Sequence, residues 1–278
     1  MQPKQFLPLV VAALNLGMNH VASAQAACVP AHKFPLLTNG VIQVATGAVP
    51  PFDVISSTGD YTGVDADILK RVAAMECVKL TTVVVDPPGQ IQYVLSGKAD
   101  ISAFGWYRSA ARDRVLSLSQ PLLLERLAIY SKDGTTSISA LKSRRVGTVQ
   151  GYLWVTDLQG VLGDSLKLYP NPVALAQDLG AGRVDAAIDS YTKGIYAQRT
   201  QGGYKGFQIK PADPDKRVAT SMLPAQTTFL MSRSNQAFAK AVDADVQNLR
   251  SSGEIARILR SYQLDPSAAD VGDPRLVQ

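Results

Sequence analysis

Two consecutive series of short apolar runs, each alternating with segments of helical period, constrain this chain more than any other feature. The first opens with "VIQVAT" at Val41–Thr46 and a turn-rich stretch. In "DADILKRVAAMECV" the apolar residues Ile68, Leu69, Val72, Ala73 and Met75 then recur at helical spacing, with Asp65 placed as the N-cap. "KLTTVVV" is β-branched and reads as a strand, "GQIQYVLSGKAD" as a helix ended by Gly97, and "ISAF" as the next strand. After "LLLERLAIYS", read as one long strand, a second series begins with "SISALKS" as a helix. It continues through the strands "RVGTV", "SLKLY" and "VDAAI", with helices from Tyr152, over "PVALAQDLGAG" and from Tyr191, to the strand of "GFQIKPADPDKR". "TTFLMS" and two closing helices within 235–262 follow; the last dozen residues read as a tail.

Strands alternating with helices imply mainly parallel sheets covered on both faces, here an α/β fold in two lobes. The strand at Thr227–Ser232 and the closing helices need a surface to pack on. The economical arrangement builds one lobe from 25–131 and 226–278 and inserts the other, 132–225, between them. Two segments, near Tyr130–Gly134 and Leu223–Thr227, would cross. Ligands of open α/β sheets bind beyond the carboxyl ends of the strands, which here means the cleft between lobes.

The N-terminus is read separately. Residues 1–24 combine Lys4, an apolar run from Phe6 to about Met18, and Ala22-Ser23-Ala24, the pattern of a cleaved secretory signal. That run is shorter than the ~20 residues a spanning helix needs, and export to a periplasm is expected. Cys28 and Cys77 make an even pair, which favours a disulfide in an oxidising compartment; independent thiols, or acylation of Cys28, are the alternatives. The net charge is +5 with dispersed basic residues, a poor footprint for nucleic acid. With two histidines, three glutamates and no metal-ligand spacing or phosphate-cradling loop, no cofactor is expected. A Ser-His-Asp triad would have to recruit His32 from the tail before the first strand.

One stretch stands out: "AFGWYRSAARDRVLSLSQP", Ala103–Pro121, which holds three arginines beside a Trp-Tyr pair. The surrounding landmarks are "GVIQVATGAVPPFDV", Gly63-Val64-Asp65-Ala66-Asp67-Ile68, "VLSGKAD", "RVGTVQGY", "LGAGRVDAAIDS" and "LRSSGEIARILRSY". In order and spacing they resemble the periplasmic solute-binding proteins of amino-acid ABC transporters, bacterial solute-binding family 3, over roughly Val41–Tyr262. The resemblance implies a type II periplasmic-binding fold and a monomeric receptor. It would close on a small carboxylate ligand and deliver it to a membrane permease. Aligned on Leu118–Pro121, the family's carboxylate-clamping arginine falls on Arg112, its hydroxyl on Ser109 and its backbone-contacting glycine on Gly105. A guanidinium meets a carboxylate bidentately, which suits the assignment; Arg108 and Arg114 are read as surface residues.

Departures from the family pattern bear on the ligand. Val49 stands where an aromatic is usual before the turn that carries Phe52. Tyr107, beside Trp106, replaces a threonine. In the second lobe the resemblance points to Gln150, Gly151 and Tyr152. The acid that pairs with a ligand's ammonium would fall on Ser190, one place after Asp189. Either Asp189 takes that role, competing with a reading as a helix N-cap, or the ligand has no ammonium. The aromatic set Trp106, Tyr107, Tyr152, Trp154 and Tyr191 suits a planar or cationic ligand body; Trp154 is equally suited to a lobe interior. The resemblance also admits secreted cyclohexadienyl dehydratases, which need an acid over a leaving hydroxyl. Glu125 and Asp189 are the candidates, since Glu76 and Glu254 are expected away from the cleft.

Overall fold

In the computed structural model, which describes residues 28–277, the chain forms two sheets joined by two short crossings. The expected signal segment lies outside the described residues. The first lobe contains β1 (Val41–Thr46), β2 (Val54–Ile55), β3 (Tyr61–Thr62), α1 (Val64–Met75), β4 (Lys79–Val84), α2 (Pro87–Leu95), β5 (Ile101–Tyr107), α3 (Ala110–Asp113), β6 (Leu116–Leu118) and β7 (Leu124–Glu125). The second contains β8 (Leu127–Ser131), β9 (Val146–Val149), α4 (Val155–Leu162), β10 (Leu166–Tyr169), α5 (Pro172–Gly180), β11 (Ala186–Ser190), α6 (Tyr191–Gln201), β12 (Gln208–Pro211) and α7 (Ala219–Met222). β13 (Ala225–Ser232), α8 (Gln236–Ser251) and α9 (Glu254–Ser261) return to the first lobe.

The first sheet runs β4-β1-β5-β13-β6, with β7 also on β13. β1 is parallel to β4 and β5, whereas β13 is antiparallel to its neighbours. The second runs β10-β9-β11-β8-β12, parallel from β10 to β11 and antiparallel around β8. Each lobe buries its own apolar set: Ile42, Val44, Ile68, Leu69, Phe229 and Val242 are core residues of the first lobe, and Ile129, Leu158 and Ile188 of the second.

Three expectations are corrected. "LLLERLAIYS" is two strands: β7 pairs with β13 in the first lobe and β8 with β11 and β12 in the second. The crossing therefore falls at Glu125–Leu127 rather than Tyr130–Gly134, and the lobe boundary moves from 131 to Arg126. A strand can pair with only one sheet at a time, and Arg126 marks where this one changes partners. "SISALKS" forms a single 3-10 turn at Ser139–Leu141. Asp65 is not the N-cap of α1; Gly63 is, at φ 119°, where a Cβ would lie 2.2 Å from the Phe52 carbonyl oxygen. Asp65 is instead buried in the first turn and accepts the Gly105 amide at 2.8 Å.

The C-terminal residues form a strap. The buried Gln226 side chain, at the second crossing, donates to the carbonyls of Val271 and Asp273, and its Oε1 accepts from Arg275 N, each at 2.8 Å. Val277 pairs with the loop before α3, through Ala110 N to Val277 O at 2.9 Å and Val277 N to Arg108 O at 3.0 Å. At the other end Cys28 and Cys77 form a disulfide with Cα atoms 5.7 Å apart, which leaves neither thiol free for an acyl chain. Among the described residues, no helix is long and apolar enough to cross a membrane.

Candidate functional site

The site begins with a bulge. β5 and β13 pair regularly except where Phe229 faces the three residues Ala103, Phe104 and Gly105. Such an irregularity re-aims the side chains that follow it. Gly105 sits there at φ 62°, and a Cβ would lie 2.9 Å from the Phe52 ring. The strand then delivers Trp106 and Tyr107 to the end of the first lobe. Ser109 caps the short α3 by accepting the Arg112 amide at 3.2 Å, so the strand end, the cap and the arginine form one unit.

Arg112 lies between the lobes. Its Nη1 donates to Tyr107 O at 2.8 Å, its Nη2 reaches Gly151 O at 3.4 Å in the second lobe, and its guanidinium lies 4.7 Å from the Trp106 ring centroid. Among the described residues no carboxylate pairs with it. Burial pushes its pKa down to about 10.

A cavity of about 30 Å³, room for one or two waters, adjoins the guanidinium. From the first lobe it takes Phe52, Phe104, Gly105, Trp106, Tyr107 and Arg112; from the crossing, Glu125; and from the second lobe Tyr152, Leu153, Trp154, Ser190 and Lys193. Aromatic contacts span the two sides: Tyr107 meets Trp154 edge-on at 5.5 Å and Phe104 meets Tyr152 at 6.4 Å. Trp154 serves as both lobe core and cavity wall, its indole N–H bonded to Thr148 Oγ1 at 2.8 Å.

Two buried polar atoms on this cavity have no partner among the described residues, the Tyr107 hydroxyl and Glu125 Oε2. Glu125 Oε1 accepts from the amides of Arg126 and Thr192 at 2.7 and 3.2 Å. Burial pushes the Glu125 carboxyl above its usual range, and burial also raises the Tyr107 phenol.

Asp189 occupies a different position. It is buried at the end of β11 and ion-pairs with Lys193 one turn into α6; the side chains are 2% and 10% exposed. Asp189 Oδ1 also accepts the Ser190 amide at 2.6 Å. The lysine donates to the Tyr152 hydroxyl at 2.5 Å and stands 4.6 Å from that ring's centroid. Ser190, not Asp189, caps α6. A second cavity, about 630 Å³, is lined by Val49, Pro172, Val173, Tyr204, Asp189 and Lys193 among others. Lys193 thus lines both cavities, and Asp189 only the outer one.

Of the residues singled out from sequence, Phe52, Gly105, Trp106, Tyr107, Arg112 and Tyr152 meet on the inner cavity. Ser109 holds Arg112 from behind, Gly151 offers it a carbonyl, and the Gly105 amide is taken by Asp65. Gln150 is exposed and lines neither cavity. Tyr191 lies in a separate groove by the crossing. Sequence reading missed Phe104, Leu153 and, most of all, Lys193. The available signal was its spacing of four from Asp189 across a helix start, which puts both on one face.

The comparisons agree with this architecture. Residues 42–265 match the model of the bacterial extracellular solute-binding proteins, family 3. The chain is 24% identical to the probable amino-acid-binding protein YxeM of Bacillus subtilis (strain 168), over 94% of this chain and 96% of that one. It is 31% identical to the cyclohexadienyl dehydratase of Pseudomonas aeruginosa, but over only 49% of this chain and 48% of the enzyme. The solved structure of an ancestral arginine-binding protein bound to arginine superposes with a TM-score of 0.71 at 22% identity, covering 80% of this chain and 98% of that one. Two lobes closing on a central cleft, with the landmarks in order over nearly the whole folded chain, place the protein among the bacterial extracellular solute-binding proteins of family 3.

Proposed function

We propose that the protein is an extracytoplasmic receptor that binds a small carboxylate in the cleft, an amino acid or related compound, and delivers it to an ABC-transporter permease. One observation carries this reading: Arg112 is a guanidinium between the lobes whose hydrogen bonds go only to backbone carbonyls, one on each lobe. A half-buried guanidinium without an acid partner is open to an anion, and a ligand carboxylate supplies it. Because Arg112 touches both lobes, a ligand bound to it favours the closed state, which is how closure becomes a signal of occupancy. The names of relatives such as YxeM agree with this ligand class.

The test is a thermal-shift screen of refolded protein against amino acids, aromatic acids, betaines and small dicarboxylates, for wild type and Arg112→Ala. Ligand at 100 times its Kd stabilises the fold by about 2.7 kcal/mol. The reading fails if no carboxylate raises Tm, or if Arg112→Ala responds as wild type does.

A second reading, a cyclohexadienyl dehydratase-like enzyme, is favoured by Glu125. A carboxyl whose pKa burial raises, on the wall that also bears Arg112, suits protonation of a leaving hydroxyl. Turnover of prephenate, lost in Glu125→Gln with ligand binding retained, would select this reading.

A further inference from the structure

We infer that Lys193 sets the ligand class: once the lobes part to widen the inner cavity beyond its present room for one or two waters, it accepts a carboxylate bearing an oxygen at the neighbouring carbon, as in a 2-oxo acid, and rejects the matching α-amino acid. The inference rests on the receptor reading and narrows it.

Charge is the first argument. With a ligand carboxylate on Arg112, the ammonium of an α-amino acid lies one carbon away and needs an anion in the same enclosed space. Two acids are near. Asp189 is already paired to Lys193 and lines the outer cavity only. Glu125 lines the inner cavity, but its Oε1 is already committed to the Arg126 and Thr192 amides, and burial raises its carboxyl above the usual range. The ammonium would therefore find no uncommitted anion in that space, because the Asp189 carboxylate is already neutralised by Lys193. Because Lys193 and Asp189 cancel, the wall presents one uncompensated positive charge at Arg112, which matches a monoanion rather than a zwitterion.

Hydrogen bonding is the second argument. The cavity offers the unpartnered Tyr107 hydroxyl and the Lys193 ammonium as donors. A carbonyl or hydroxyl oxygen beside the carboxylate can accept from such groups, whereas an ammonium cannot. The wall of Phe52, Phe104, Trp106 and Trp154 favours a flat or apolar remainder.

The experiment is calorimetric titration of refolded protein with matched pairs: phenylpyruvate and phenylalanine, 4-methyl-2-oxopentanoate and leucine, pyruvate and alanine. For at least one pair the 2-oxo acid should bind roughly 10- to 100-fold tighter, the difference expected of one charged hydrogen bond. In Lys193→Met, Asp189 is uncovered and the preference should reverse. That variant leaves a buried acid unpaired, so Lys193→Met with Asp189→Asn is titrated alongside; it should lose discrimination without gaining the amino acid. Wild type binding the amino acid at least as tightly as its 2-oxo partner overturns the inference and leaves the receptor reading standing. An unchanged preference in both variants also overturns it. Binding of neither member of any pair, with Arg112→Ala silent as well, overturns both.

Discussion

The two cationic residues of the cleft stand in opposite conditions. Arg112, on the first lobe, is surrounded by aromatic rings and backbone carbonyls and has no acid partner among the described residues. Lys193, on the second, is locked to Asp189 and to the Tyr152 hydroxyl. Lys193 is buried and Arg112 half-buried, yet the first charge is satisfied by the fold and the second is not. The difference separates a structural ion pair from a binding group: a satisfied pair contributes to stability and specificity, whereas an unsatisfied buried charge costs stability and favours whatever ligand neutralises it.

The largest expected effect tests the satisfied side. Asp189→Ala strands Lys193 in a buried position and should destabilise the fold by about 3–5 kcal/mol, the usual cost of breaking one half of a buried pair. For a chain of this size that is a fall in Tm of roughly 6–20 °C in a calorimetric scan. A fall under about 2 °C would mean that the pair is not formed in solution. Arg112→Ala should do the reverse. Unliganded Tm should hold or rise, while ligand affinity falls by about 2–5 kcal/mol, the range for truncating one partner of a desolvated charge pair. If both variants lowered unliganded stability alike, the distinction would collapse.

Removing the strap, by ending the chain after Asp270, sharpens the comparison on the arginine side. Gln226, 1% exposed, would lose its partners on Val271, Asp273 and Arg275, a loss of about 1–3 kcal/mol in urea unfolding. The loop that carries Arg112 would lose its Val277 pairing, so affinity should fall too. Loss of stability with affinity intact would show that the strap supports the crossing and not the clamp.

The smallest effect lies away from the cleft. His32 is bonded to Glu76 at 2.5 Å, with Asp245 at 4.0 Å. Burial, and then Glu76, raise the Asp245 carboxyl from 3.8 to about 7, while its hydrogen bond to Glu76 raises His32. For both, the folded state holds protons that the unfolded chain releases. Stability from Asp245 is therefore lost as pH rises from 3.8 through about 7, and that from His32 as pH rises from 6.5 through its elevated value. The buried pair Asp53 and Asp65 act in the same sense, both raised chiefly by burial. Asp245→Asn should flatten part of the decline between pH 4 and 7 in unfolding scans; an unchanged slope would assign the effect to the Asp53–Asp65 pair.

Much of this molecule was legible in its residues because the relevant physics is local. Helical spacing in 64–75 and β-branching in 79–84 follow from side-chain periodicity and sterics, which act within a few residues. The arginine loop was legible for a similar reason: a Trp-Tyr pair and an arginine at short spacing in one turn must lie close together. Where the reading failed, pairing decided. Nothing within "LLLERLAIYS" says that Leu124–Glu125 and Leu127–Ser131 hydrogen-bond to different sheets, since their partners lie about a hundred residues away on β13 and about sixty away on β11.

 The fate of the last dozen residues was hidden in the same way, because what orders them is a glutamine at position 226.

By itself the sequence determined the two-lobed α/β class, the order of strands and helices, and the arginine segment that faces the cleft. The first two rest on periodicity and turn chemistry, encoded over short distances; the arginine's place on the cleft rests on the resemblance of its segment to the family's. Only the tertiary structure decided that Asp189 belongs to Lys193 and lines the outer cavity, that Glu125 and Tyr107 keep unpartnered polar atoms on one wall, and that the C-terminal strap holds the crossing. The physical reason is that burial and charge pairing depend on which distant surfaces meet. An aspartate reads the same in sequence whether its partner is a ligand's ammonium or a lysine of its own chain, and the enclosed geometry of the folded cleft decides between them.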